Sequence, residues 1–216
     1  MKANKIIPIV EGYGEEKAVP CIIRRWLRHR GWDRHFVVPD LAINAKGCGT
    51  LKATYDRTRH VGIEHYVEAA LRDNPEAVLV VLDADNECLI REPGNSLGPS
   101  LLARAQSVAP ELPMAVVVAN REYEAWFLAN FQTIKARGGF SAHAQYSTCD
   151  HPESHCGCKG LMAELMGCSY EETVHQLFLT KLIGFTRGAC FRSPSYGKLM
   201  RDLERLTREI RKKGAL

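Results

Sequence analysis

Three stretches of the chain are apolar without interruption: residues 6–10, 77–82 and 114–119. Runs this short, bounded by glycine, proline and acidic residues, read as strands buried on both faces. Helical periodicity lies between them. Over residues 17–30, Val19, Ile22, Ile23, Trp26 and Leu27 form one stripe. Pro20 falls near the first turn, where proline is tolerated, and Gly31 supplies the stop. Residues 36–39 predict a short strand, 61–72 a helix ending at Asp73-Asn74-Pro75, and 100–109 a helix closed by Pro110. Asn120 is the expected N-cap of a helix over 121–130. Strands that alternate with helices in this way predict a parallel sheet of about four strands, helices on both faces.

Beyond Phe131 the pattern changes. Residues 135–159 are rich in glycine, histidine and cysteine and show no periodicity; helical patterns return at 161–165, 171–182 and 195–212. The expected division is an α/β core over 1–135 and a Cys/His-rich loop with a helical extension over 136–216, packed on the core. Residues 43–50, INAKGCGT, read as an irregular glycine-rich loop. They lack the spacing of a Walker phosphate loop; Lys46 and Lys52 are either lysines of an ordinary surface loop, the favoured reading, or candidates to meet a phosphate there.

Composition adds little. The 216 residues carry a formal charge of +4, with 45% hydrophobic and 25% charged, as in ordinary globular proteins. The distribution says more. Between Arg192 and Leu216 eight Lys or Arg face three acids, and residues 24–30, RRWLRHR, form a second basic cluster. Arg24, Arg25, Arg201 and Arg205 are the expected backbone-binding cations, or else part of solvated helix faces. No run has the length of a transmembrane helix, and residues 1–5 lead straight into a strand without a signal-peptide h-region. The expectation is a cytoplasmic protein without membrane contact, its eight cysteines mostly reduced.

The candidate chemistry sits where the strands end. The first run stops at Glu11-Gly12, with Gly14, Glu15 and Glu16 following; glycines there permit a tight turn. The second stops at Asp83-Ala84-Asp85. Residues i and i+2 of an extended segment point the same way, so both aspartates can face one site. If the two strands are neighbours, Glu11 joins them. Three close carboxylates repel, and a divalent cation removes that repulsion. Hard oxygen ligands suit Mg²⁺ or Mn²⁺ better than zinc. Glu15 can assist or serve a second ion, about 3.5–4 Å from the first in two-metal phosphoryl chemistry. Glu122 and Glu124 follow the third strand; positions i and i+2 of a helix diverge, so one of them faces the site.

Ile9-Val10-Glu11-Gly12, then Glu15, with Asp83-Ala84-Asp85 after an apolar strand, resembles the Toprim domain of DnaG-type primases, topoisomerases and OLD-family nucleases. One branch, domain-of-unknown-function family 4276, is resembled over nearly the whole chain. The stretches that carry this are residues 120–128, NREYEAWFL; Asp150-His151-Pro152-Glu153 with Lys159-Gly160; Tyr170-Glu171-Glu172-Thr173; and residues 192–203. The resemblance implies a Rossmann-like sheet, Glu11 as general acid or base or as a metal ligand, and Asp83 and Asp85 holding Mg²⁺. It also implies a metal-dependent nuclease acting on DNA or RNA, in an antiphage or mobile-element setting beside an ATPase partner. The alternative is a non-catalytic interaction protein that senses a nucleotide or metal and regulates such a partner. The segment Cys149-Asp150-His151 with His155-Cys156-Gly157-Cys158 has zinc-type residues but not zinc spacing, and reads as an ordinary loop.

Overall fold

The computed structural model describes residues 3–84, 96–147, 151–154 and 157–214. The three apolar runs are the central strands of a parallel sheet: β1 (Asn4–Val10), β4 (Ala77–Asp83) and β5 (Met114–Ala119). β4 lies between the other two, with Val10 opposite Val81 and Asp83 opposite Ala119. Two very short strands share the remaining edge of β1. β2 (Phe36–Val37) pairs with Asn4 and Lys5, and β3 (Ile43–Asn44) pairs with Ile9 and Val10.

This split edge accommodates Pro8. Asn4 donates outward to His35 O, Lys5 O accepts from Glu76 on the β4 side, and Val10 O accepts outward from Ala45. Even-numbered residues of β1 therefore turn their polar groups to the outer edge. Pro8 falls in the gap between β2 and β3, where its missing N–H breaks no ladder bond.

Side chains alternate faithfully across the sheet. Ile6, Val10, Leu79, Val81, Ala115, Val117 and Ala119 face one layer. That layer holds α1 (Glu15–His29), α5 (Glu124–Ala129), α6 (Phe131–Ile134), α7 (Cys158–Met166), α8 (Leu177–Thr180), α9 (Arg187–Arg192) and α10 (Pro194–Gly214). Ile7, Ile9, Val78, Val80, Leu82, Met114, Val116 and Val118 face the other. It holds α2 (Cys48–Lys52), α3 (Ile63–Leu71) and α4 (Leu97–Val108). A 3₁₀ turn at Pro152–Ser154 and a π-helical turn at Glu172–Gln176 complete the elements. Among the described residues no helix is long and apolar enough to cross a membrane.

Several local expectations need correction. Pro20 is six residues into α1, beyond its first turn; the Glu16 carbonyl it leaves without a helical partner accepts instead from Ala42 N–H at 2.8 Å. Residues 43–50 are not irregular: Ile43 and Asn44 pair with β1 and Cys48 starts a short helix. Asn120 does not cap a helix. Arg121 has φ +70°, the helix begins only at Glu124, and the Asn120 amide points to Glu153 Oε2 at 3.4 Å. Cys149, Asp150, His155, Cys156 and residues 87–95 of the expected loop after β4 lie outside the described residues.

The C-terminal elements pack on the core. Tyr196, Leu199, Leu203, Leu206 and Ile210 of α10 belong to the same apolar cluster as β4 and β5. The helix runs antiparallel to β5. Arg205 donates to the carbonyl of Met114, the first residue of β5, at 2.7 Å, and Lys213 Nζ reaches Glu111 O at 2.5 Å.

Candidate metal centre

Acidic side chains gather at the carboxyl end of the sheet because four separate element boundaries deliver them there. Glu11 leaves the end of β1, Asp83 is the last residue of β4, Glu15 opens α1 and Glu124 opens α5. Burial is severe. Asp83 is 8% exposed, Glu15 6% and Glu124 0%. Glu11 is fixed directly to its neighbour, since the Asp83 N–H donates to Glu11 Oε2 at 2.9 Å. The expected meeting of the first and second apolar strands is therefore observed. Asp85 lies outside the described residues.

Two glycines make room rather than unusual backbone angles. Neither Gly12 nor Gly14 has positive φ, and Gly14 sits at φ −63°, ψ −48°. A Cβ on Gly14 would stand 2.3 Å from Gln176 Oε1, and one on Gly12 3.0 Å from Glu15 Oε2. The close approach matters because Gln176 ties the cluster together. Its Nε2 donates to Glu15 Oε1 at 2.8 Å and lies 3.3 Å from Glu124 Oε1. Tyr170 OH donates to the same Glu124 oxygen at 2.8 Å. Glu124 Oε2 and Gln176 Oε1 are buried and have no hydrogen-bond partner among the described residues.

The electrostatics follow from crowding in a dry place. Burial raises the Asp83 carboxyl well above the usual carboxylate range, and the charges of Glu124, Glu15 and Glu11 raise it further. Burial also lifts Glu124 to about 7, against the opposing pull of Lys159 and the Tyr170 hydrogen bond. Lys159 is the cation that bears on both. Burial alone would lower its pKa, but the Glu172 hydrogen bond and the charges of Glu124, Glu172 and Asp83 outweigh that and raise it. Its Nζ is 2.5 Å from Glu172 Oε1, and its backbone N–H donates to Glu122 Oε2 at 2.9 Å. Glu124, not Glu122, is thus the member of that pair facing Asp83.

Would such a set accept a divalent cation? Among the described residues no group of three His, Cys, Asp or Glu side chains already converges as ligands on one point. Glu11 is held by Asp83 N–H, and Glu15 by Gln176. The donor chemistry nevertheless fits: hard carboxylate oxygens, mutually repelling, with one buried carboxylate oxygen that has no donor among the described residues.

The proposed phosphate binders scatter. Lys46 is exposed beside the centre, one residue from Gly47, whose N–H donates to Glu11 O at 2.7 Å. Lys52 lies at the end of α2, its carbonyl accepting from Arg104. Arg24 is tied to Val38 O, Pro39 O and Asp40, and Arg25 to Thr180 O with Phe185 under its guanidinium. Arg205 binds the far end of β5, and Arg201 is exposed on α10. None of these four arginines joins the carboxylates.

Sequence reasoning missed Lys159, Tyr170 and Gln176 as members of the site. Lys159 and Tyr170 stand inside motif segments, which was a usable signal; Gln176 is a polar residue on a helical pattern and gave none. Glu153 is a different case. It is 8% exposed, and one of its oxygens accepts from Ser193 Oγ at 2.5 Å, Ser195 N–H at 2.8 Å and Ser195 Oγ at 2.6 Å. Ser195 Oγ in turn accepts from Trp126 Nε1 at 2.8 Å. Glu153 therefore anchors the start of α10 to α5.

Comparison with known proteins gives one family. The model described as "Domain of unknown function (DUF4276)" matches residues 10–204. No curated protein and no solved structure matches the chain.

Proposed function

The chain belongs to the DUF4276 family, and we propose that it is a metal-dependent phosphodiesterase of the Toprim type acting on nucleic acid. One observation carries the reading: Glu11, Glu15, Asp83 and Glu124 crowd the carboxyl end of β1 and β4, which is where open α/β sheets place ligands. Glu11, Asp83 and Glu124 would hold Mg²⁺ or Mn²⁺, with Asp85 as a further candidate and Glu15 assisting. A bound divalent ion lowers the pKa of water and polarises a phosphoryl oxygen. The chain's own groups do the rest. The Asp83 N–H orients Glu11, Gln176 orients Glu15, and Tyr170 orients Glu124. Lys159 keeps a positive charge beside them, placed to offset charge on a phosphate.

Cleavage of plasmid DNA and of bulk transfer RNA tests this, with Mg²⁺, Mn²⁺ or EDTA. Metal-dependent cutting is expected, lowered about 100-fold or more by Glu11→Ala and by Asp83→Ala. Cutting that persists in both variants overturns the assignment.

A second reading, a non-catalytic protein that regulates an ATPase partner, is favoured by the hydrogen bonds that already engage Glu11 and Glu15 within the chain. Stable association with such a partner, unchanged by Asp83→Ala, supports it.

A further inference from the structure

A cationic and aromatic lobe stands beside the carboxylates on the β3 edge of the sheet. Backbone bonds fix its place: Ala45 N–H donates to Val10 O at 2.8 Å and Gly47 N–H to Glu11 O at 2.7 Å. A hairpin follows, closed by an antiparallel bridge between Asp56 and Val61. Tyr66 OH, on α3, is 3.0 Å from Ala45 O and 3.2 Å from His60 O, so the hairpin lies against the Lys46 loop. Gly62 N–H, donating to Thr50 O at 2.7 Å, ties it to α2.

The carboxylates of this lobe, Asp56, Glu64 and Glu68, are each engaged by neighbouring donors. Asp56 Oδ1 accepts from the Thr58 and Arg59 N–H groups and from the Thr58 hydroxyl. Arg104 holds Glu64 at 2.7 and 2.8 Å, and Glu68 accepts from Tyr55 OH at 2.8 Å. Lys46, Arg57 and His60, by contrast, are exposed. Lys46 and His60 both hold left-handed backbone, φ +59° and +58°, which non-glycine residues rarely adopt. Aromatic rings continue the surface: Tyr55 is 38% exposed, the His60 and His65 centroids are 4.9 Å apart, and His65 meets Tyr66 edge-on at 5.2 Å.

We propose that this lobe is the platform on which a single-stranded polynucleotide lies as it enters the carboxylate centre. Lys46 and Arg57 meet backbone phosphates, and the His60 and Tyr55 rings take unpaired bases. Cations alone would serve a duplex equally well; exposed rings beside them favour a strand whose bases are free to stack. The inference rests on the phosphodiesterase reading and adds to it the strand state of the substrate.

The test is fluorescence anisotropy in EDTA with the full chain. The probes are a labelled mixed-sequence DNA oligonucleotide and the same sequence annealed to its complement. Lys46→Glu with Arg57→Glu is expected to weaken single-strand binding at least about tenfold and to flatten its salt dependence. Tyr55→Leu with His60→Asn (asparagine tolerates the left-handed backbone) is expected to weaken single-strand binding about tenfold and leave duplex binding unchanged. Arg28→Glu with Arg34→Glu, exposed at the opposite end of the sheet, is expected to bind within about twofold of wild type. Equal melting temperatures across the variants exclude misfolding. Tighter duplex binding, wild-type binding by both lobe variants, or no binding by wild type overturns the platform. Cutting that needs Glu11 and Asp83 but ignores the lobe variants would leave the phosphodiesterase reading standing and remove only the platform.

Discussion

Glu124 concentrates the physical tension of the site in one side chain. It is fully buried, its Oε2 has no donor among the described residues, and its carboxyl is lifted from 4.5 to about 7. The sign of the consequence is definite. Below about pH 4.5 the folded and unfolded chains both hold the proton. Between 4.5 and 7 the unfolded chain releases it and the folded chain does not, so stability falls as pH rises. Above 7 the loss is complete, on the order of 3–4 kcal/mol at about 1.4 kcal/mol per pH unit. Asp83, raised for the same reasons, acts in the same direction. In metal-free buffer the melting temperature of wild type minus that of Glu124→Gln is therefore expected to be more negative at pH 8 than at pH 5. The subtraction cancels titrations elsewhere, such as His65, whose pKa burial lowers. A difference independent of pH would mean that Glu124 ionises as freely in the folded chain as in water.

At the scale of elements, the start of α10 depends on a carboxylate supplied from forty residues upstream. Glu153→Ala leaves the Ser193 and Ser195 hydroxyls and the Ser195 N–H without their acceptor, and loosens the Trp126 indole bond. The expected cost is about 2–4 kcal/mol, read from the urea midpoint, with Glu153→Gln costing less because an amide oxygen still accepts. This anchor also shows which parts of the fold the sequence could disclose. The three central strands were legible because each is apolar on both faces, and Glu11 and Asp83 were legible because they stand where those strands stop. β3 was not, having only two residues and drawing its pairing from β1. Asn120 looked like a cap because an asparagine before a helical pattern usually is one; here Arg121 turns left-handed and delays the helix to Glu124. Lys159 and Gln176 reach the site from far along the chain, and no periodicity encodes such a meeting.

Across the whole molecule, one layer of the sheet gets part of its cover only late in the sequence. Ala115, Val117 and Ala119 share their cluster with Tyr196, Leu199, Leu203 and Leu206. A fragment of residues 1–135 keeps all five strands but loses α7 to α10, and with them Gln176, Tyr170 and Lys159. It is expected to aggregate or to lack a cooperative thermal transition, which circular dichroism and light scattering would report. A fragment that melts cooperatively as a monomer would show that α1, α5 and α6 suffice to cover that face.

The same antiparallel course of α10 along β5 has a consequence in time. Ribosomes add about 5–20 residues per second. β5 ends at Ala119 and α10 begins at Pro194, 75 positions later, so several seconds separate the two on a nascent chain. During that interval the part of the β4 and β5 face that α10 will cover must be held by transient partners, shielded by chaperones or left open to neighbouring chains. Yield on expression should then respond more to translation speed and chaperone supply than to the equilibrium stability of the finished protein.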